Sequence, residues 1–196
     1  ATKILVFNDS TNGAQHLQNF IANSSHFTPE IVQINYESYA NFTNAIILDI
    51  NNKSIREETY TLQVDSNRVI IRGMSNRAIG HGIQTFRQLL PDAFFKQEKR
   101  SNWYVPSVKI SDTPQFNHRG MLLDCSRHFF EKSTLFKYID LLSFYKMNVL
   151  HWHLTDDQGW RIEMDTYPQL TTIGAWRTEP NGERYGGFYT KDDIRE

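Results

Sequence analysis

Two polar clusters hold the side chains of this sequence that are best suited to chemistry. Ser126-Arg127-His128 directly follows the apolar run 119–124, and Thr155-Asp156-Asp157-Gln158-Gly159-Trp160-Arg161 directly follows the run 148–154. A guanidinium beside carboxylates makes strong charge-assisted hydrogen bonds to hydroxyl groups, and an indole face covers the C–H surface of a sugar ring. The pattern favours a polyol or sugar ligand, although a structural ion pair between loops fits the same residues.

A second kind of chemistry is indicated by His151 and His153, which alternate along one strand and therefore point to the same face. Some metal hydrolases present two imidazoles to zinc in this way. Two hydrogen-bonded core histidines would show the same spacing, and the sequence favours that interpretation over a metal site.

The elements that must position the clusters form a strand–helix–strand unit. The run 119–124 and the run 148–154 have the continuous apolar character of strands buried on both faces. Between them, residues 134–147 carry an apolar stripe at helical spacing. Such a unit pairs its strands in parallel, about 4.8 Å apart, so Arg127 and the Asp156-Asp157 pair are predicted to face one cleft.

The first half of the chain predicts a small sheet covered by helices. Helices are predicted at 14–22 and from Ser75 to Leu90, and a breaker cluster is predicted at 8–13. The predicted strands are 3–7, 31–34, 45–50, 59–64, 68–72 and 104–110, with a hairpin joining the fourth and fifth. Charge clusters and prolines between Pro91 and Pro114 predict a boundary that separates domain 1–112 from domain 113–196. Near the end, Thr190 and Asp193 predict the opening turn of another helix.

Composition excludes several classes of protein. The 196 residues carry 21 basic and 22 acidic side chains, a net charge of −1, and these are scattered, so no nucleic-acid partner is expected. No apolar run approaches the roughly 20 residues that a membrane span needs. The single cysteine, Cys125, excludes a scaffold of internal disulfides.

Longer motifs identify a family. The segments 118–124, 126–130, 146–161 and 173–177 resemble the opening of the catalytic barrel of family 20 glycoside hydrolases, the β-N-acetylhexosaminidases. The stretch 78–90 resembles the last helix of the small domain that precedes that barrel. The resemblance implies an α+β N-terminal domain followed by the first βα units of a TIM (β/α)8 barrel, which is incomplete in this chain.

The resemblance also implies an activity. Members of the family remove terminal non-reducing N-acetylglucosamine or N-acetylgalactosamine with retention of configuration, and the acetamido oxygen of the substrate acts as the nucleophile. The implied partners are glycans ending in N-acetylhexosamine, or chitooligosaccharides. No metal or organic cofactor is implied, and a periplasmic or secreted location is expected.

Residue by residue, Arg127 matches the family arginine that grips the O3 and O4 hydroxyls of the sugar, and Asp156 matches an active-site aspartate. Asp157 and His153 match positions of a supporting shell. The family's catalytic Asp-Glu pair, normally in a Gly-Gly-Asp-Glu setting, has no match, because no Asp-Glu dipeptide occurs after residue 113.

We therefore expect an N-terminal portion of a hexosaminidase that needs the remainder of its own barrel and is inactive alone. The alternative is a non-catalytic fragment that binds carbohydrate or a partner.

Overall fold

The computed structural model describes residues 2–7, 11–35, 42–50, 57–98 and 102–196. The chain divides into two compact units, Ala1–Asn117 and His118–Glu196. Within the described ranges, no helix has the length and apolar character needed to cross a membrane.

The first unit is built on a six-stranded mixed sheet. Its strands are β1 (Lys3–Phe7), β2 (Glu30–Gln33), β3 (Ala45–Ile50), β4 (Tyr60–Val64), β5 (Arg68–Gly73) and β6 (Val108–Asp112), in the order β2-β1-β3-β5-β4-β6. The first four in that order pair in parallel, whereas β4 runs antiparallel to both β5 and β6. The predicted β4–β5 hairpin is thereby confirmed.

Apolar side chains fill both faces of the central strands. On β3, Ile46 and Leu48 belong to the larger core cluster, whereas Ala45 and Ile47 belong to a second cluster on the opposite face. Because successive side chains of a strand alternate between faces, only a continuous apolar run can serve two cores.

Two helices cover one face of this sheet, namely α1 (Thr11–Ser24) and α2 (Asn76–Gln88), and the short α3 (Asp92–Phe95) follows. Ser75 caps α2, since its hydroxyl accepts a hydrogen bond from the backbone N–H of Ala78 at 3.2 Å. The predicted breaker cluster at 8–13 is wrong for Thr11 to Gly13, which lie in α1; residues 8–10 are outside the described ranges. At Gly13 the two helices approach closely, because a Cβ there would lie 3.2 Å from Ile83 Cδ1.

The predicted strand 104–110 also differs from the structure, in which β6 begins at Val108. Pro106 has no backbone N–H to give to a ladder, so residues 102–107 adopt no regular structure. Trp103 and Val105 instead pack their side chains against the core cluster.

The second unit contains the predicted strand–helix–strand. Strand β7 (Gly120–Asp124) pairs in parallel with β8 (Val149–His153), and α4 (Lys132–Phe144) connects them. The remaining elements are short: β9 (Thr155–Asp156), β10 (Gly159–Trp160), α5 (Gln169–Thr172), β11 (Trp176–Thr178), β12 (Arg184–Gly186) and α6 (Lys191–Arg195). β9 pairs with β10, and β11 pairs with β12, each as an antiparallel hairpin.

The prediction that 119–124 and 148–154 are buried on both faces is wrong, since Val149 and His151 are also exposed on β8. Met121 and Leu122 point to opposite faces of β7 and are 47% and 52% exposed, whereas Leu123 is buried. The core of this unit is a small cluster in which Leu123 joins Cys125, Leu135 and Tyr189. This cluster lies on the face of β7 that carries Leu123, so it leaves Leu122 exposed on the opposite face and does not cover Met121 near the start of the strand.

Packing of α2 on the sheet predicts opposite effects for one substitution at two glycines of that helix. A Cβ added at Gly82 would overlap Ile71 Cγ2, whereas a Cβ at Gly80 would meet no atom within 4 Å. We expect Gly82→Ala to lower the free energy of unfolding by about 1–3 kcal/mol through overpacking. Gly80→Ala should raise it by about 0.5–1 kcal/mol, because alanine is the better helix former. Urea unfolding of both variants measures this difference, and a shift of the same sign in both would contradict the packing described.

Candidate functional site

The two polar clusters meet where β7 and β8 end. Asp124 and His153 are the last paired residues of the two strands, so the chain segments that follow leave the same edge of the sheet. The predicted proximity of Arg127 and Asp156 is confirmed, since Arg127 Nη2 lies 3.2 Å from Asp156 Oδ2.

Arg127 lies between two carboxylates. Its Nη1 donates to Asp124 Oδ2 at 2.8 Å, and the same nitrogen lies 3.5 Å from His153 Nε2. His153 Nε2 is in turn 3.1 Å from Asp156 Oδ2. Asp157 completes the group through its backbone N–H, which donates to Asp156 Oδ1 at 2.9 Å. The Arg127 side chain remains 51% exposed, so the cluster is open to a ligand.

The carboxyl groups of Asp124 and Asp156 are both held in the ionised form. The hydrogen bonds from the Asp157 N–H and from His153 lower the pKa of Asp156 below its ordinary value, and the charge of Arg127 adds to the effect. Burial alone would raise the pKa of Asp124, but the hydrogen bonds from the backbone and guanidinium of Arg127 outweigh it and lower that pKa. The site therefore presents carboxylate acceptors beside guanidinium donors, which suits neutral hydroxyl groups.

Asp124 was not among the predicted site residues. Its Oδ1 accepts hydrogen bonds from the N–H groups of Ser126 at 3.1 Å and Arg127 at 3.0 Å. This side chain thus closes a tight turn after β7 as well as pairing with the guanidinium. The signal that would have identified it is an aspartate at a strand end, since aspartate commonly bonds the backbone two residues on.

Arg161, the last residue of the second polar cluster, lies inside the protein and not at the exposed site. Its side chain is fully buried and donates to four backbone carbonyls. The bonds are Nε to Cys125 at 2.9 Å, Nη2 to Ser126 at 2.8 Å, Nη1 to Ala175 at 2.5 Å and Nη1 to Gly187 at 3.1 Å. Burial lowers the pKa of Arg161, yet a guanidinium stays protonated in proteins.

Three further carbonyls of the Arg127 loop, residues 125–130, also accept hydrogen bonds from side chains. Arg177 Nη1 donates to the carbonyl of Arg127 at 2.7 Å. The hydroxyls of Tyr185 and Tyr189 donate to the carbonyls of Phe129 and Phe130 at 3.2 and 2.6 Å. Burial raises the pKa of the Tyr189 hydroxyl, so that group is a proton donor throughout the physiological range.

The interpretation of the two histidines as hydrogen-bonded core residues is wrong for His151, which is exposed, whereas His153 is half-buried and contacts Asp156. The rings of His151 and His153 lie 6.1 Å apart, and no group of three or more potential metal ligands occurs among the described residues. Trp152 packs against Tyr189, with 4.6 Å between ring centroids, and its Nε1 donates to Cys125 Sγ. Trp160 is half-buried and donates from Nε1 to the carbonyl of Ile162.

Comparison with known proteins covers both units. The family model for the glycosyl hydrolase family 20 catalytic domain matches residues 116–196, and the model for domain 2 of that family matches residues 2–113. The chain belongs to glycosyl hydrolase family 20. Its fold is therefore the α+β domain 2 of that family followed by the start of the TIM-barrel catalytic domain, which confirms the predicted family and fold class.

Named relatives in family 20 are longer than this chain. A beta-hexosaminidase from Porphyromonas gingivalis is 42% identical over 155 residues, which make up 78% of this chain and 20% of that protein. One from Vibrio furnissii is 43% identical over 155 residues, which are 74% of this chain and 24% of that protein. The chain thus spans about a fifth to a quarter of the curated relatives it matches.

Solved structures of family 20 share its fold. The GH20 beta-N-acetylhexosaminidase from Streptomyces coelicolor has a TM-score of 0.84 and 33% identity, covering 98% of this chain and 38% of that one. A mutant Streptomyces plicatus beta-hexosaminidase in complex with its product GlcNAc has a TM-score of 0.84, 34% identity and the same coverage.

The buried Arg161 side chain should be essential to the stability of the second unit. Replacing it with methionine leaves four carbonyls without their donors, and a single hydrogen bond to a charged group contributes about 1.5–3 kcal/mol. We expect Arg161→Met to lower the free energy of unfolding by at least about 3 kcal/mol in urea titrations. The matched control is Arg195→Met at an exposed site, expected within about 0.5 kcal/mol of the parent. Equal stability of the two variants would contradict the role of Arg161.

His153 should control the ionisation of Asp156. His153→Ala removes a hydrogen bond that lowers the pKa of Asp156, so this pKa should rise toward its ordinary value of 3.8. A depressed carboxyl pKa stabilises the fold above the ordinary value, and this stability is lost as pH falls through the lowered one. In the variant this contribution to stability should be smaller, and its loss should be complete at a higher pH. Carboxyl 13C NMR titration reports the change, with His151→Ala as the control; equal Asp156 titration in both variants would refute it.

Proposed function

We propose that this chain forms part of a retaining β-N-acetylhexosaminidase and supplies the residues that hold the non-reducing N-acetylhexosamine. The observation that carries the proposal is the half-exposed Arg127 guanidinium, held between Asp124 and Asp156 at the carboxyl ends of two neighbouring parallel strands. Ligands of TIM-barrel enzymes bind at this end of the strands.

The geometry supports different roles for Arg127 and Asp156 in sugar binding. Arg127 provides donors and Asp156 provides an acceptor, so adjacent hydroxyls such as O3 and O4 can each meet a charged partner. Asp157 and His153 act as the supporting shell, since they donate to the two carboxylate oxygens of Asp156 and fix their direction. A neutral sugar adds no charge to the arginine–carboxylate network, so the network persists in the complex.

In the proposed reaction the acetamido oxygen of the bound sugar attacks the anomeric carbon of the same sugar. The glycosidic bond from that carbon breaks, and a general acid protonates the leaving oxygen. This chain binds and orients the sugar for that step. We propose that the general acid and the carboxylate that orients the acetamido group come from a part of the enzyme outside these 196 residues. The lack of an Asp-Glu dipeptide after residue 113 supports this division.

The 196-residue chain alone should therefore release no nitrophenol from 4-nitrophenyl N-acetyl-β-D-glucosaminide above the uncatalysed rate. The proposed complete enzyme should cleave the same substrate under identical conditions. Robust turnover by the isolated chain would overturn the proposed division. Saturable sugar binding by the chain, with no turnover in the complete protein either, would favour the non-catalytic alternative.

Arg127→Ala in the complete enzyme should lower kcat/KM by about 10- to 150-fold, because a hydrogen bond to a charged group contributes about 1.5–3 kcal/mol. Arg195→Ala is the matched control, since Arg195 likewise pairs with an aspartate three residues before it, at 2.6 Å, and is exposed. An unchanged kcat/KM in Arg127→Ala would remove Arg127 from the site.

A further inference from the structure

The hairpin formed by β11 and β12 reaches the segment that carries Arg127. Arg177 on β11 donates from Nη1 to the Arg127 carbonyl at 2.7 Å. On the other side of the same residue, the Arg127 N–H donates to Asp124 Oδ1 at 3.0 Å. The backbone N–H and the backbone carbonyl of Arg127, the residue proposed to bind the sugar, are therefore both hydrogen-bonded to charged side chains.

Arg177 is itself held in place from two further directions. Its Nε donates to Glu179 Oε1 at 2.7 Å, and its guanidinium lies 4.9 Å from the ring centroid of Tyr185 on β12. The Tyr185 hydroxyl donates to the Phe129 carbonyl, two residues beyond Arg127. The hairpin thus contacts the Arg127 loop at two carbonyls through side chains that also contact each other.

We propose that Arg177 is a positioning residue for substrate binding, acting through the Arg127 backbone and not through the sugar. This inference rests on the proposed function, because it assigns Arg177 a part in sugar binding only through Arg127. Because an arginine side chain has several rotatable bonds, the position of its guanidinium is defined only if the backbone that carries it is fixed. A loop that rotates about Arg127 would move the guanidinium away from Asp156 and from the hydroxyls it binds.

A double-mutant cycle in the complete enzyme tests the proposal with Arg127→Ala, Arg177→Ala and the combination. We expect Arg177→Ala to raise KM for the nitrophenyl substrate roughly tenfold, with kcat changed less than about twofold. In the Arg127→Ala background the same change should alter kcat/KM by less than about twofold, because the side chain that Arg177 positions is already absent. Multiplicative effects of the two substitutions would overturn the proposal.

Two further variants separate positioning from a loss of folding. Arg177→Lys keeps the positive charge, but one ammonium is a poor substitute for a fork that bonds two acceptors, so it should raise KM by a smaller factor than Arg177→Ala. This variant replaces Arg177→Ala in the cycle if the alanine protein does not fold. The control is Arg184→Ala on the same hairpin, where the guanidinium stacks on Trp176 at 4.3 Å; its KM should equal that of the parent.

The outcomes also distinguish this inference from the proposed function. If Arg127→Ala leaves kcat/KM unchanged, the proposed function fails and the inference falls with it. If Arg127→Ala has its expected effect but Arg177→Ala leaves KM unchanged, or Arg184→Ala raises KM as much, only the positioning role is overturned.

Discussion

The second unit depends on one buried cation. Arg161 has no solvent exposure and binds four backbone carbonyls drawn from two separate stretches of the chain, the turn after β7 and the region around the β11–β12 hairpin. A buried charge is costly unless it is fully hydrogen-bonded, so the chain can bury Arg161 only in a conformation that brings these carbonyls together. Gly159 makes room for it, because a Cβ there would overlap the guanidinium.

This constraint shapes the exposed site beside it. The carbonyls of Cys125 and Ser126 point to Arg161, that of Arg127 points to Arg177, and the N–H groups of Ser126 and Arg127 point to Asp124. With the polar backbone atoms occupied in this way, the side chain of Arg127 is directed to the edge where Asp156 lies. An exposed ion pair contributes little to stability by itself, so the preorganised loop is what gives the cluster its defined geometry.

Local patterns in the sequence predict much of the fold. The continuous apolar run of β3, the stripe of α2 after Ser75 and the capping box of Thr190 and Asp193 are all present in the structure. The strand–helix–strand pattern also predicts that Arg127 and Asp156 meet, because parallel pairing fixes which strand ends are neighbours.

Long-range polar contacts could not be predicted in the same way. Nothing in the sequence near Arg161 indicates that its partners are Ala175 and Gly187, since those bonds depend on how distant segments pack. Likewise, the apolar character of β7 indicates a strand but does not determine which neighbouring elements cover its faces.

In the proposed function, a backbone held by buried and half-buried side chains directs Arg127 to the sugar. The structure of the complete enzyme with bound N-acetylglucosamine is the decisive test. We predict that the guanidinium of Arg127 and a carboxylate oxygen of Asp156 each lie within about 3.2 Å of a ring hydroxyl, with the Arg127 carbonyl still bonded to Arg177 and Arg161 still bonded to its four carbonyls. A bound sugar that makes no contact with Arg127, while the loop keeps the conformation described above, would contradict it.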